Sequence, residues 1–312
     1  MFNIIEKRRW YFIISALVIV PGLIAMIYST VRFGTPVRLS IDFTGGALLE
    51  LEFEQPVQPG EVRQVFVERG YTDTMVQTTA DERTVLVRSD FLESEVKMEI
   101  KSALEDRYGP LEELRFESVG PTIGGEVTRA ATMAVVTAAI VILGFIVVAF
   151  RRVPHAFRYG ACATASLVHD LLVAMGFFSI LGLFRGWQVD ALFLTAILTV
   201  IGFSVQDTIV VFDRIRENIP KRRGEPFELI VNRSILETIH RSLATQLNAI
   251  FVMIAILLFG GATMKQFIAT LLVGMLSGTY SSIFTAVPLL VVWEKGEVGQ
   301  FLRHLRRREA QA

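Results

Sequence analysis

From Asp190 to Asp213 the chain offers about 35 Å of helix, at 1.5 Å per residue, with one charged side chain inside it. That length matches a bilayer, whose hydrocarbon core is about 30 Å thick. The embedded charge is Asp207, in the run V-I-G-F-S-V-Q-D-T-I-V-V-F-D-R-I-R-E-N from Val200 to Asn218. A carboxylate at that depth costs about 2.5 to 3.5 kcal/mol on insertion scales. Two readings justify such a residue: a hydrogen bond to a neighbouring helix, or an ion-coupling carboxylate that loads and unloads a cation.

Further apolar runs of spanning length lie at Tyr11 to Tyr28, Ala130 to Phe150, Ala161 to Phe184, Leu243 to Phe259 and Phe267 to Trp293, so the pattern predicts six transmembrane helices. Pro21-Gly22 predicts a kink or local break in the first. The 31 basic residues balance the 31 acidic ones, so overall charge gives no sign of a nucleic-acid partner, but the distribution is uneven. Lys7, Arg8 and Arg9 precede the first span, and Arg151, Arg152 and Arg158 fill the turn after the second. Arg214, Arg216, Lys221, Arg222 and Arg223 follow the fourth, and Arg303, Arg306, Arg307 and Arg308 follow the sixth. All fall on one side, which predicts cytoplasmic termini and an extracytoplasmic region after the first span. The lone cysteine, Cys162, rules out an intramolecular disulfide.

The chain therefore divides into residues 1–31 (cytoplasmic N-terminus and first helix), 32–128 (an extracytoplasmic globular insert), 129–294 (five helices, with a cytoplasmic loop at about 213–240) and a basic cytoplasmic tail at 295–312. Glu225 to His240 within that loop reads as a separate interfacial amphipathic helix. In the insert, strands are expected at Ala47–Phe53, Met75–Thr79, Thr84–Arg88 and Leu114–Val119, and helices at Pro59–Arg69 and Glu93–Tyr108. Ala80-Asp81-Glu82 joins the middle strands. The order βαββαβ is that of a ferredoxin-like α+β domain. It contains no Cys or His, so no metal cluster is expected, and no nucleophile–base pair marks the chain as an enzyme.

Glycine-rich segments bracket the insert, one holding Asp42, Gly45 and Gly46, the other Gly120 and Gly124. Both read as tight turns coupling the insert to the helices, with Gly admitting positive φ. In the third span Ser166, His169 and Asp170 share one helix face and should look into the bundle, as a hydrogen-bonded network or as a functional group. Arg241, Thr245 and Asn248 form a polar stripe at i, i+4 and i+7 on the fifth helix. Arg241 there either snorkels to the interface or faces inward as counter-charge to Asp207. Gly274 and Gly278 give a G-x-x-x-G spacing that lets another helix approach closely.

The segments I-D-F-T-G-G (Ile41 to Gly46), V-G-P (Val119 to Pro121), H-D (His169-Asp170), Q-D-T-I-V-V-F-D-R-I-R-E-N (Gln206 to Asn218) and S-I-L-E-T-I-H-R-S (Ser234 to Ser242) carry a further signal, together with F-G-G and G-T-Y-S-S in the last two helices. In order and over nearly the whole chain they resemble the SecF family of bacterial SecD–SecF protein-export complexes, within the resistance-nodulation-division superfamily. The resemblance implies partnership with SecD, association with the SecYEG channel and its small membrane subunits, and action on unfolded preproteins in a lipid membrane. It implies no organic cofactor, with H⁺ or Na⁺ as coupling ion. The essential fourth-helix carboxylate of the family falls on Asp207 and its fifth-helix arginine on Arg241. Gln206 stands where Asn is common in the family, and Phe203 where Tyr is common. The rival expectation is half of a small-molecule or lipid exporter of the same superfamily; a non-transporting scaffold is the reading from another class.

Overall fold

The computed structural model describes residues 3–78, 83–151, 153–261 and 264–296. The turn expected at Ala80-Asp81-Glu82, Arg152, and the basic tail beyond residue 296 lie outside those residues. Six helical segments are long and apolar enough to cross a membrane: Ile5–Phe33, Pro121–Ala149, Ala156–Arg185, Ala191–Lys221, Phe227–Phe259 and Lys265–Glu294. The chain forms two compact units, one of residues 1–38 and 134–312, the other of residues 39–133.

In the second unit, α2 (Ile41–Thr44) leads into β1 (Gly46–Phe53), α3 (Pro59–Val67), β2 (Met75–Thr78), β3 (Thr84–Ser89), α4 (Ser94–Tyr108) and β4 (Leu111–Val119). The sheet is antiparallel with order β2-β3-β1-β4, the arrangement expected of a ferredoxin-like domain. Alternation on β1 sends Leu49, Leu51 and Phe53 into a core with Val62, Val65 and Phe66 of α3 and Ile100 and Leu104 of α4. Outside that core Arg107 bridges α4 to Glu68 of α3 at 2.6 Å, which holds the Glu68 carboxyl below the usual carboxylate range.

The two glycine segments meet within this unit, and they differ from the expectation of paired turns. Gly45 and Gly46 do take positive φ, 76° and 112°. Gly120 precedes, and Gly124 lies inside, the long helix α5 (Pro121–Ala149), where φ is ordinary. Gly124 is required for closeness: a Cβ there would stand 2.6 Å from the Gly45 nitrogen and 3.0 Å from the Phe43 carbonyl oxygen. Thr128 one turn on donates to that same carbonyl oxygen at 3.2 Å. Asp42 sits in α2, its N–H donating to the Ser40 capping hydroxyl at 3.2 Å.

In the other unit α1 (Arg8–Phe33) follows a 3₁₀ turn (Ile5–Lys7) and continues as one helix through Pro21, so the break expected there does not occur. Gly22 lies back to back with Gly176 of α6 (Ala156–Arg185): a Cβ on either would come within 2.7–2.8 Å of the other's Cα. Helices α7 (Ala191–Lys221) and α8 (Phe227–Phe259) run on through the segment expected as a loop at about 213–240, leaving residues 222–226 as the connector. Charge pairing sustains these extensions. Asp213–Arg216 (2.6 Å) and Arg214–Glu217 (2.8 Å) sit one turn apart on α7, and Arg214 reaches Glu237 of α8 at 2.6 Å. Asn218 donates to Ser234 and Glu237, both at 2.9 Å, so the expected interfacial helix, from Phe227 to His240, packs on α7 as the start of a single 33-residue helix.

The last span is α9 (Lys265–Ser281), a π-helical segment (Ser282–Ala286) and α10 (Val287–Glu294). Pro288 follows the π segment, which absorbs the missing N–H and the ring clash that would otherwise break the helix.

Two substitutions test this packing. Gly176→Leu should separate α1 from α6 and lower the unfolding temperature of the purified chain in detergent; an unchanged temperature would show that the Gly22 contact is dispensable. Phe66→Ala should cost about 3 to 5 kcal/mol within the sheet unit, read as lost hydrogen-exchange protection on β1 amides.

Candidate functional site

Among the described residues of the helical unit two carboxylates are buried, and their surroundings differ. Asp170 on α6 is 2% exposed and is held from several directions. Its Oδ2 accepts from Ser204 of α7 at 2.6 Å and Ser281 of α9 at 2.8 Å, and its Oδ1 accepts from Ser277 of α9 at 2.6 Å. His169 Nδ1 lies 3.1 Å from Oδ1. His169 Nε2 lies 3.1 Å from the Ser15 hydroxyl of α1. Ser15 in turn lies 3.3 Å from Thr285 of the π segment, and Ser166 donates to Ser281 at 2.9 Å. One carboxylate thus ties α1, α6, α7 and α9 together, with its acceptor sites engaged.

The G-x-x-x-G spacing makes this clamp possible. Gly274 packs on Val200 and Gly278 on Ser204, where added Cβ atoms would lie 2.3 Å and 3.1 Å from those side chains. That approach brings Ser277 and Ser281 of α9 and Ser204 of α7 onto Asp170 at once.

Asp207 lies three residues beyond Ser204 on α7 and is 5% exposed. Among the described residues it accepts one hydrogen bond, from Gln246 Nε2 of α8 at 2.7 Å. Gln246 Oε1 and the hydroxyl of Ser242, one turn before it, are buried without a hydrogen-bond partner among those residues. Asp207 therefore keeps acceptor capacity that Asp170 has used up, and its one donor, Gln246, has an oxygen to spare.

Arg241 is not the counter-charge of Asp207 here. It is exposed and lines a recess with Asp213, Arg214, Glu217 and Glu237 toward the charged end of the helices. The reason is angular. At about 100° per residue, Arg241 sits roughly 140° around α8 from Gln246. Thr245 and Asn248 are also exposed, Thr245 donating to the Arg241 carbonyl at 3.0 Å, and Gln206 faces outward beside Asp207. The polar stripe at Arg241, Thr245 and Asn248 thus lies on the outside of this chain. A second stripe, Ser234, Thr238, Ser242 and Gln246, faces inward. It repeats every four residues, a signal present in the sequence but masked by the neighbouring stripe that holds the charge. Ser15, Ser204 and Ser277 were equally unmarked, since single serines in apolar helices carry little pattern of their own.

The chain matches the family model described as "Protein export membrane protein SecD/SecF, C-terminal" over residues 99–296, and that of the "SecD/SecF GG Motif" over residues 33–57. It is 50% identical to the protein translocase subunit SecF of Anaerolinea thermophila, covering 95% of this chain and 96% of that one. With the protein translocase subunit SecDF of Bacillus subtilis it shares 33% identity over 94% of its own length but only 38% of the relative's. Its fold is similar to a crystal structure of SecDF from Thermus, described as a translocon-associated membrane protein, with a TM-score of 0.77 and 32% identity. That alignment covers 94% of this chain and 39% of the solved one.

The contrast between the carboxylates predicts unequal costs of neutralising them. Asp170→Asn puts an amide N–H₂ among donors and should destabilise the detergent-solubilised chain more than Asp207→Asn does. Ser277→Ala removes one donor to a buried charge and should cost about 1.5 to 3 kcal/mol. Equal thermal shifts for the two Asp variants would erase the distinction.

Proposed function

This chain belongs to the SecD/SecF family of protein-export membrane proteins, and from that premise we propose that Asp207 is the site where it couples a cation gradient to export. The protein is a membrane subunit of the SecD/SecF translocase type. The observation that carries the proposal is the pairing of a saturated carboxylate, Asp170, with an unsaturated one, Asp207, one turn apart along α7 through Ser204.

Protonating Asp207 removes its charge and lets the carboxyl donate, while release restores an acceptor for Gln246. The unused Gln246 Oε1 and Ser242 hydroxyl give the neutral form a different set of partners. Two arrangements of α7 against α8 follow, with Asp170 holding α7 fixed one turn away at Ser204. A proton crossing 100 mV releases about 2.3 kcal/mol, enough to shift a two-state equilibrium more than tenfold. H⁺ is the coupling ion in this reading, and Na⁺ would use the same oxygens.

The partner is a SecD-like chain. Arg241 stands at the charged end of α8, and the polar side chains of Thr245 and Asn248 continue outward from it along a membrane-spanning helix, so this stripe marks where another protein packs. The fused SecDF relatives, of which this chain spans about two fifths, support that pairing. Arginine-rich span ends favour cytoplasmic termini, with the ferredoxin-like unit on the opposite side. From there, moving with the helices, it would act on unfolded preproteins leaving the SecYEG channel.

In membrane vesicles carrying the paired complex, Asp207→Asn should reduce gradient-driven preprotein export to the level seen without a gradient, with insertion and SecD pairing intact. Gradient-driven export that persists in this variant would remove Asp207 from the mechanism. Collapsing ΔpH and ΔNa⁺ separately identifies the ion.

A further inference from the structure

At the arginine-rich ends of the helices, a recess of about 380 Å³ opens between the start of α6, the end of α7, the start of α8 and the end of α10. Its walls combine two chemistries. Val153, Pro154, Ile219, Phe227 and Ile230 are apolar, whereas Tyr159, Arg222, Arg223, Glu225 and Glu294 are polar or charged. Glu294 is already occupied by Arg158. Arg222 and Glu225 are not fully used. Their heads approach only to 3.5 Å, through Arg222 Nη1 and Glu225 Oε1, and the Arg233 guanidinium stays 4.0 Å from Glu225 Oε2. Arg222 Nε and Glu225 Oε2 are both buried without a hydrogen-bond partner among the described residues. A buried N–H donor and a buried carboxylate oxygen, each lacking a partner, are expensive side by side unless something bridges them.

The depth of the recess is set by its neighbours. Glu228, in the first turn of α8, pairs with Arg8 at 3.5 Å and Lys295 at 2.5 Å, so the ends of α1, α8 and α10 meet at one level. Trp10 and Trp293 stand exposed beside those ends, as aromatic residues do where hydrocarbon gives way to headgroups.

We propose that this recess binds the headgroup of an aminophospholipid, a phosphoethanolamine whose phosphate meets Arg222 and Arg223 and whose ammonium meets Glu225. A purely anionic headgroup would satisfy the arginines and leave Glu225 Oε2 unpartnered. A choline headgroup has no N–H to give it. The apolar wall suits the glycerol and first acyl carbons, which assigns the ligand to the membrane rather than to a soluble phosphoethanolamine. The site is separate from Asp207 and does not depend on its role.

The test is lipid retention by the full chain, purified with its membrane partner from bilayers of equimolar phosphatidylethanolamine, phosphatidylcholine and phosphatidylglycerol with matched acyl chains, read by native mass spectrometry. Phosphatidylethanolamine should be retained about tenfold over phosphatidylcholine, the effect of one charge-assisted hydrogen bond. Glu225→Gln should erase that preference, Arg222→Gln should release all three lipids, and Lys221→Gln, outside the recess, should change nothing. Equal retention of ethanolamine and choline lipids in the unaltered chain overturns the proposal. So does a preference that survives both recess variants, and so does displacement by soluble O-phosphoethanolamine at the concentration of the lipid.

Discussion

A bilayer supplies no water to polar groups, so each one placed there must find its partner within protein. The Asp170 clamp answers that requirement with one carboxylate and hydroxyls from helices far apart in sequence. Its geometry depends on backbones approaching closely, and glycine is what permits this. Gly274 and Gly278 admit α7 to α9, and Gly22 and Gly176 admit α1 to α6. Replace the glycines and the serines no longer reach; replace the carboxylate and the serines have nothing to converge on.

The clamp also gives the second carboxylate its meaning. Asp207 shares α7 with Ser204, so the helix is anchored one turn before the point where it presents a sparsely bonded acid to α8. A fixed anchor beside a group with alternative partners is the minimum needed for a local charge change to move a helix in a defined direction. The outward stripe at Arg241, Thr245 and Asn248 is where the proposed function extends that logic beyond the chain. The recess at Arg222 and Glu225 has the same character at the headgroup level, two buried polar atoms awaiting a bridge.

Apolar runs gave the number of spans, because length and hydropathy are local properties. They understated the spanning helices, since Asp213 to Lys221 reads as part of a cytoplasmic loop and Glu225 to His240 as a separate interfacial helix until Arg214–Glu237 and the Asn218 hydrogen bonds pack the two together. The ferredoxin-like unit was legible for the same local reason: alternation on β1 and turn residues between elements suffice to order its strands. The second glycine segment was misjudged as a turn because glycine serves both positive φ and close packing, and only the neighbour at Gly45 distinguishes the two uses of Gly124.

By itself, then, the sequence determined that six apolar helices and one small α+β unit form, and that Asp170 and Asp207 stand where a charge needs a reason, because burial cost is written in composition along a helix. The tertiary structure decided which side chains meet those charges. A helix carries several polar stripes, and the roughly 140° between Arg241 and Gln246 decides whether an arginine or a glutamine is the neighbour of Asp207. That rotation is fixed by packing against other helices, through glycines and serines whose partners lie tens to hundreds of residues away.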